Sequence, residues 1–457
     1  MPFYKTALAI AIPVMLQALV QNLVSLIDNF MVAGLGDIKM SGVNITNQLI
    51  FVFFVALMTL TSAGGIFMSQ FNGAKNNDGM QQTFKFKLFA TMLLATGVTL
   101  LAVLLPKQLL ALIVNQNTES AAIIAEGKSY LAIIVFTFFP LAISMVIGSS
   151  MREIGKVRPP LVISVFATLV NTFFNWVLIY GNLGAPRLEV RGAAIATVIA
   201  RILEVLVFLI YISITKPPFY FRIVHLFKVN FALFLSILRK SGLIFLSEMS
   251  WVLTETVMTA VYNGRGGADI VSGMAAGWAI ANIFFLVFGA VHTSVGVIVG
   301  GTLGRNELDV AREQARWLRS GALIIGFLVA ILQALSVVLI PVVFGNLSTD
   351  SQYITRNMLW IIAIYMPLWT YLNAQFATAR SGGDAIMGAW VDIGVNTFVF
   401  LPGIILLAAF TKLGPIEMYA IVKLSDVVKV IIAHWQLKTE RWLKNLTHEH
   451  NIREEQS

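Results

Sequence analysis

The chain has 457 residues, of which 58% are hydrophobic and only 12% are charged. Soluble globular proteins contain about 25% charged residues, so this composition indicates an integral membrane protein. The formal charge is +9, but the basic residues are scattered through short loops without interleaved aromatic residues, which argues against a nucleic-acid partner. The absence of cysteine excludes disulfides, thiolate catalysis and cysteine metal sites.

Long apolar segments recur along the whole chain, each close to the roughly 20 residues that a helix needs to cross a bilayer. They predict an all-α membrane protein with twelve transmembrane helices. The predicted spans are residues 6–33, 46–72, 88–114, 129–150, 160–181, 191–215, 238–262, 275–300, 318–344, 354–379, 386–411 and 415–437.

One aspartate, Asp28, lies inside the first predicted span. This span is too long for the apolar core of a signal peptide and has no clear cleavage site, so it is predicted to be a retained helix. A carboxylate in hydrocarbon is costly, and such a group usually faces an internal cavity and marks an ion or proton pathway. The alternative is that Asp28 only joins helices through hydrogen bonds.

The longest polar interruption lies in the middle of the chain, between Lys216 and Lys240, and contains Pro217-Pro218 and five basic residues. It predicts two six-helix lobes and divides the whole chain into four parts. The parts are an N-terminal lobe at 1–215, a cytoplasmic linker at 216–237, a C-terminal lobe at 238–437 and a cytoplasmic tail at 438–457. Placing both termini in the cytoplasm puts most of the 32 lysines and arginines on the inner side, as the positive-inside rule requires. We therefore expect a multi-pass protein of the inner (plasma) membrane.

Motifs of the first half return in the same order in the second half. Gly34-Leu35-Gly36, Ser41-Gly42, Arg152-Glu153-Ile154-Gly155 and Val170-Asn171-Thr172-Phe173 correspond to Gly264-Arg265-Gly266, Ser272-Gly273, Arg380-Ser381-Gly382-Gly383 and Val395-Asn396-Thr397-Phe398. Because each half has an even number of spans, both halves enter the membrane from the same side, and the two lobes are predicted to be pseudo-symmetric about the membrane normal. Such repeats around a central cavity are typical of secondary transporters.

Three polar residues of the first half are predicted to lie at the depth of Asp28. Asn171 and Asn175 in the fifth span and Thr197 in the sixth lie, like Asp28, roughly 9–15 Å inside the outer boundary by helical rise. Their oxygens and the Asp28 carboxylate form a hard-oxygen set suited to Na⁺, with Asp28 and Asn175 as the candidate ligands, or to H⁺ through Asp28 alone. The alternative is an uncharged cluster that packs three helices.

In the second half, Glu255 lies about one turn deeper than the position that mirrors Asp28, and it is the better site candidate there. Other charges inside predicted spans have a more structural pattern. Arg201 and Glu204 are spaced to neutralise each other. Lys423, Asp426 and Lys429 repeat every three residues and form a charged stripe in the last span.

Several ordered fragments resemble one known family, the multidrug and toxic compound extrusion (MATE) transporters. The fragments are Ile12-Pro13, Leu26-Ile27-Asp28, Gly34-Leu35-Gly36, Gln70, Gly73-Ala74-Lys75, Arg152, Gly155-Lys156, Asn171, Asn175, Leu178-Ile179-Tyr180-Gly181, Gly192-Ala193-Ala194-Ile195-Ala196-Thr197, Arg380 and Gly382-Gly383-Asp384. The likeness extends over essentially the whole chain.

The resemblance implies two six-helix lobes that form a V-shaped cavity. It also implies efflux of organic cations in exchange for Na⁺ or H⁺, with Asp28 as the first-lobe coupling residue surrounded by Asn171, Asn175 and Thr197. The chain departs from the family at two places. Many relatives have an aspartate where Asn175 stands, and some have an acidic residue in the tenth span. This span has none, and Tyr371 and Asn373 occupy that region beside the candidate Glu255.

The resulting prediction is a secondary antiporter without a cofactor, most simply a monomer, whose partners are cationic or hydrophobic small molecules and membrane lipids. A flippase for lipid-linked precursors would share the fold but is expected to have a cationic cavity, whereas Asp28 and Glu255 are acidic. A membrane enzyme or receptor is the alternative of a different class. Against an enzyme, the sequence has no nucleophile–base pair and no histidines at metal-ligand spacing.

Overall fold

The computed structural model describes residues 2–113, 120–265 and 267–447. Within these ranges the chain is almost entirely helical and has no strand. Some sequence features fall outside them: Met1, the end of the third predicted span at residue 114, Gly266 of the repeated motif, and the predicted tail beyond residue 447 with its Arg453.

Twelve long helical segments make up the described part of the chain, and they confirm the prediction of a twelve-helix, all-α architecture. They are α1 (Pro2–Ala33), α2 (Asp37–Gly73), α3 (Asn77–Leu104), α4 (Ser120–Glu153), α5 (Arg158–Tyr180), α6 (Glu189–Thr215), α7 (Phe231–Asn263), α8 (Ala268–Gly304), α9 (Leu308–Val343), α10 (Thr349–Ser381), α11 (Ala385–Phe410) and α12, which consists of Pro415–Val422 and Ser425–Lys438. Short helical pieces at Pro106–Ala111, Asn182–Gly184 and Ile223–His225 lie between them.

Nine of these segments, within the ranges that the structure describes, are long and apolar enough to cross a membrane. The other three are α7 and α10, which are richer in polar residues, and α12, which is interrupted. Most helices also begin before the predicted apolar runs, as α7 does at Phe231 and α4 at Ser120. A hydropathy window detects only the apolar part of a helix, whereas backbone hydrogen bonding continues into the polar flanks.

The described chain divides into two compact units. The first unit comprises Leu16–Met68 and Asn76–Leu238, and the second comprises the described parts of Met1–Met15, Ser69–Lys75 and Arg239–Ser457. The predicted lobe and linker boundaries remain a prediction.

In the first unit, the segment between α6 and α7 packs against the start of α3. Phe219 is completely buried and stacks on Phe84 with ring centroids 4.9 Å apart. Lys85 Nζ donates to the Lys228 carbonyl oxygen at 2.8 Å. Ring burial and this charge-assisted hydrogen bond therefore hold the segment on the helix.

In the second unit, the end of α2 is packed tightly against α8. A Cβ atom on Gly73 would lie 1.9 Å from the Gly301 carbonyl oxygen, and one on Gly304 would lie 1.9 Å from the Gln70 carbonyl oxygen. The buried side chain of Gln70 donates to the Ser381 carbonyl oxygen at 2.8 Å and accepts from the Leu446 backbone N–H at 2.7 Å. Glycine is required here because no side chain fits between the two backbones.

Candidate functional site

The candidate site is built in the first unit from α1, α5 and α6, and the end of α5 is fixed by glycine. Gly181 ends this helix with φ of +78°, and its N–H bonds to the Val177 carbonyl oxygen. A left-handed residue at this position is the usual helix stop, and glycine adopts it without steric cost. The chain then reverses direction and enters α6.

Gly192 allows α6 to lie directly against α5. A Cβ atom at this position would be 2.5 Å from the Leu178 carbonyl oxygen, and the Leu188 N–H donates to that same oxygen at 2.9 Å. This close contact holds Thr197, little more than one turn further along α6, beside Asn171 of α5. The local packing therefore sets the position of two of the predicted site residues.

We expect Gly192→Ala to destabilise the protein by about 1–3 kcal/mol, because a methyl group is forced against backbone atoms. The added methyl group would push α6 away from α5 and so separate Thr197 from Asn171. We therefore expect a loss of transport as well. Gly97→Ala is the matched control, because a Cβ atom there meets nothing within 4 Å. The measurement is thermal unfolding and efflux of both purified variants, and equal behaviour of the two would contradict the packing argument.

Two hydrogen bonds join α1 to α5 on either side of Asp28. Gln17 Nε2 donates to Ser164 Oγ at 2.8 Å, and Tyr180 Oη donates to the Met31 carbonyl oxygen at 3.0 Å. The second bond satisfies a carbonyl oxygen in the last turn of α1, where no intrahelical partner exists. Sequence reasoning missed both contacts, because nothing in the local pattern links positions about 150 residues apart.

The structure brings the four predicted first-half residues together. Asn175 Nδ2 donates to Asp28 Oδ1 at 2.6 Å and also lies 3.2 Å from Asn171 Oδ1. Rotating the Asn171 amide by half a turn replaces its contact with Asn175 and gives both polar atoms of the Asn171 amide other partners. In that orientation its Nδ2 donates to both Asp28 oxygens at 3.1 and 3.0 Å, and its Oδ1 accepts from Thr197 Oγ1 at 3.3 Å. Their role in ion coupling stays a prediction.

Neutral amides, rather than a fixed cation, hold the Asp28 carboxylate. Within the described ranges no lysine or arginine forms an ion pair with it, and Arg201 pairs with Glu204 at 2.8 Å. Asn175 is 1% exposed, and its Oδ1 has no hydrogen-bond partner among the described residues. A buried acceptor without a hydrogen-bond donor requires an explanation. Together with the Asp28 carboxylate, which has no ion-pair partner, this oxygen supplies the kind of ligands that small cations bind. The residues described include no group of three His, Asp or Glu side chains suited to a multivalent metal.

The second-half candidates are arranged differently. Glu255 Oε1 accepts from Lys423 Nζ at 2.7 Å, so this carboxylate already has a cationic partner. No hydrogen bond in the described part of the chain joins it to Tyr371 or Asn373. The Asn373 Oδ1 atom is buried without a partner there. Tyr371 lies on α10 and is half-buried.

A helical membrane protein in which polar side chains surround one carboxylate within the helices has the general form of a polytopic transporter. Comparisons with known proteins define the class further. The MatE family model matches residues 13–177. A probable multidrug resistance protein NorM of Halalkalibacterium halodurans is 25% identical over 443 residues, which is 95% of this chain and 94% of that protein. Another of the same name, from Thermotoga maritima, is 27% identical over 197 residues, covering 43% of this chain and 42% of that protein.

Solved structures support the same fold. A crystal structure of a MATE protein in complex with MaL6 superposes with a TM-score of 0.85 at 17% identity and covers 95% of this chain and 96% of that one. The class is therefore a multi-pass membrane transporter and not an enzyme. The MatE family model, the NorM relatives and the MATE structures together support a transporter of the MATE family.

Proposed function

We propose that this chain exports organic cations by exchange for H⁺ or Na⁺, and that the exchanged ion binds at Asp28. The observation that carries the proposal is the arrangement of this carboxylate, which is held by the amides of Asn171 and Asn175 and has no ionic partner in the described chain. A carboxylate inside a membrane helix is costly unless its charge is compensated. A mobile cation supplies the compensation that a fixed arginine or lysine would otherwise provide.

The site favours a cation that can leave again. Asp28 is half-buried, and the free Asn175 Oδ1 offers a second oxygen beside the carboxylate. When H⁺ or Na⁺ binds, the carboxylate accepts less strongly from the two asparagine amides, so the contacts among α1, α5 and α6 rearrange. By thermodynamic reciprocity, an ion that lowers the affinity for the substrate must itself bind more weakly when the substrate is bound.

The proposal also covers the substrate class, the location in the membrane and the oligomeric state. Relatives that match most of this chain are named multidrug resistance proteins, and an acidic candidate site favours cationic over anionic substrates. The excess of basic residues on one side favours cytoplasmic termini and a location in the inner (plasma) membrane. The described part of one chain contains twelve long helical segments, and we propose that the monomer is the transporting unit.

Efflux from proteoliposomes tests the proposal. Vesicles holding the purified protein and ethidium are given an inward Na⁺ gradient, an inward H⁺ gradient or no gradient. We expect one of the two gradients to drive ethidium efflux well above that from protein-free vesicles. Efflux that is the same in all three conditions would overturn ion exchange. Translocation of a fluorescent lipid without ethidium efflux would favour a lipid flippase instead.

A further inference from the structure

Helix α12 is interrupted at Lys423, and the ammonium group of this lysine contacts aromatic rings. Helix α12 stops at Val422 and resumes at Ser425, and Lys423 lies in the break. The backbone stays right-handed at Lys423 and Leu424, and the Leu424 N–H donates to the Ile421 carbonyl oxygen at 3.1 Å, so the interruption is a tightened helical turn.

Three aromatic rings surround the Lys423 ammonium group. Nζ lies 5.6 Å from the ring centroid of Trp369, 5.4 Å from that of Phe400 and 5.6 Å from that of Tyr419. All three distances are within the roughly 6 Å over which a ring face attracts a cation. Glu255 completes the enclosure with its carboxylate at 2.7 Å. Together, Glu255 and these three rings are called the aromatic cation site.

The rings are held in place by neighbours. Trp369 Nε1 donates to Asp426 Oδ2 at 2.8 Å, and its ring stacks on Tyr365 with centroids 5.6 Å apart. Phe400 lies on a π-helical turn, a distortion that often occurs at functional sites. Trp369 is therefore positioned by contacts that do not involve Lys423.

A second feature points to a ligand. Tyr419 is fully buried, and its hydroxyl has no hydrogen-bond partner among the described residues. Lys423 and Glu255 are 8% and 20% exposed at their side chains, so the pair is partly accessible on the carboxylate side. A buried aromatic enclosure with a carboxylate and an unpaired hydroxyl has the composition of sites that recognise ammonium ions.

We propose that the aromatic cation site is a binding site for protonated or quaternary amines, and that Lys423 fills it as a tethered ammonium ion. The second half of the chain then binds no mobile cation while Lys423 is in place. The inference extends the proposed function, because it leaves Asp28 as the one carboxylate that exchanges ions. Lys423 thereby determines how many cations take part in each transport cycle.

Replacing the tether by a free amine tests this assignment. Lys423→Ala removes the ammonium group and leaves Glu255 unpaired, so purified protein should gain one binding site for radiolabelled ethylammonium in equilibrium dialysis. Lys423→Ala/Glu255→Gln should lose that site. Lys423→Ala/Phe400→Leu should keep it with about 2- to 30-fold weaker affinity, the loss expected for one ring. Lys39→Ala, which truncates a partly exposed lysine, should gain no site.

Every outcome decides the proposal. A monodisperse Lys423→Ala protein without the additional site overturns it, as does an additional site that survives Glu255→Gln. Unchanged affinity after Phe400→Leu overturns the aromatic contribution. If Lys423→Ala does not give a monodisperse protein, Lys423→Met keeps the apolar stem and vacates the position of Nζ, and methylammonium is then the probe with the same criteria. Dialysis uses no gradient and no transport, so its failure is distinct from a failure of ion exchange at Asp28.

Discussion

Asp28→Asn is expected to abolish ion-dependent efflux and to leave the protein folded. The substitution keeps the shape of the side chain and its hydrogen-bonding atoms, so the contacts with Asn171 and Asn175 can be rearranged rather than lost. It removes the negative charge that attracts H⁺ or Na⁺. Efflux of ethidium from proteoliposomes under the effective gradient should therefore fall to the level of protein-free vesicles.

The matched control for this prediction is Asp37→Asn. Asp37 lies in the first turn of α2 and is exposed, so the same chemical change there should leave ion-dependent efflux close to that of the unmodified protein. Both variants are compared at equal reconstituted amounts and with equal elution from a sizing column. Efflux by Asp28→Asn at the unmodified rate would contradict the role assigned to this carboxylate.

Lys87→Met is expected to cause the largest loss of stability. Lys87 Nζ forms an ion pair with Glu153 and hydrogen bonds with Ser149 and Ser150, at 3.2 and 3.4 Å. The lysine side chain is 0% exposed and that of Glu153 is 14% exposed. Removing one partner of such a buried pair leaves an uncompensated charge and costs about 3–5 kcal/mol. The free energy of unfolding, measured by titration with denaturing detergent, should fall by that amount.

Two further variants isolate the unpaired charge as the cause. Lys87→Met/Glu153→Gln removes both charges, and it should recover much of the lost stability because no ion remains buried without a partner. Lys39→Met breaks the ion pair with Glu189, whose side chains are 30% and 34% exposed, and should cost about 0–1 kcal/mol. A double variant as unstable as Lys87→Met alone would show that packing, rather than charge, dominates.

Much of the architecture can be predicted from hydropathy because the membrane imposes a single requirement on each span. Every backbone polar group must be satisfied within the helix, so an apolar run of sufficient length has one stable conformation. This is why twelve helices were predictable from the positions of polar breaks. The helix ends were less predictable, as α4 and α7 illustrate, because the polar flanking turns have no hydrophobic signal.

The first-half site was also accessible from sequence, for a geometric reason. Asn171 and Asn175 are one turn apart on α5, and Gly181 and Gly192 mark the reversal that returns α6 to the depth of Thr197. Helical rise alone then places these side chains at one level with Asp28. The structure adds the orientation of the amides and the absence of a fixed cationic partner in the described chain.

The charge pairs of the second unit were not predictable in the same way. Glu255 and Lys423 are separated by 168 residues, and no local periodicity relates them. Gln70 similarly makes its bonds to segments more than 300 residues away. Such contacts depend on which helix faces meet, and hydropathy carries no information on that choice.

The most direct measurement is the release of bound cations when substrate is added to purified protein. Tetraphenylphosphonium is added in weakly buffered solution, with a pH-sensitive dye reporting H⁺ and a sodium-selective electrode reporting Na⁺. We predict that the unmodified protein releases one of the two ions and that Asp28→Asn releases none, because the substrate and the ion oppose each other's binding. Equal release by both proteins would contradict the claim that a mobile cation at Asp28 compensates its charge.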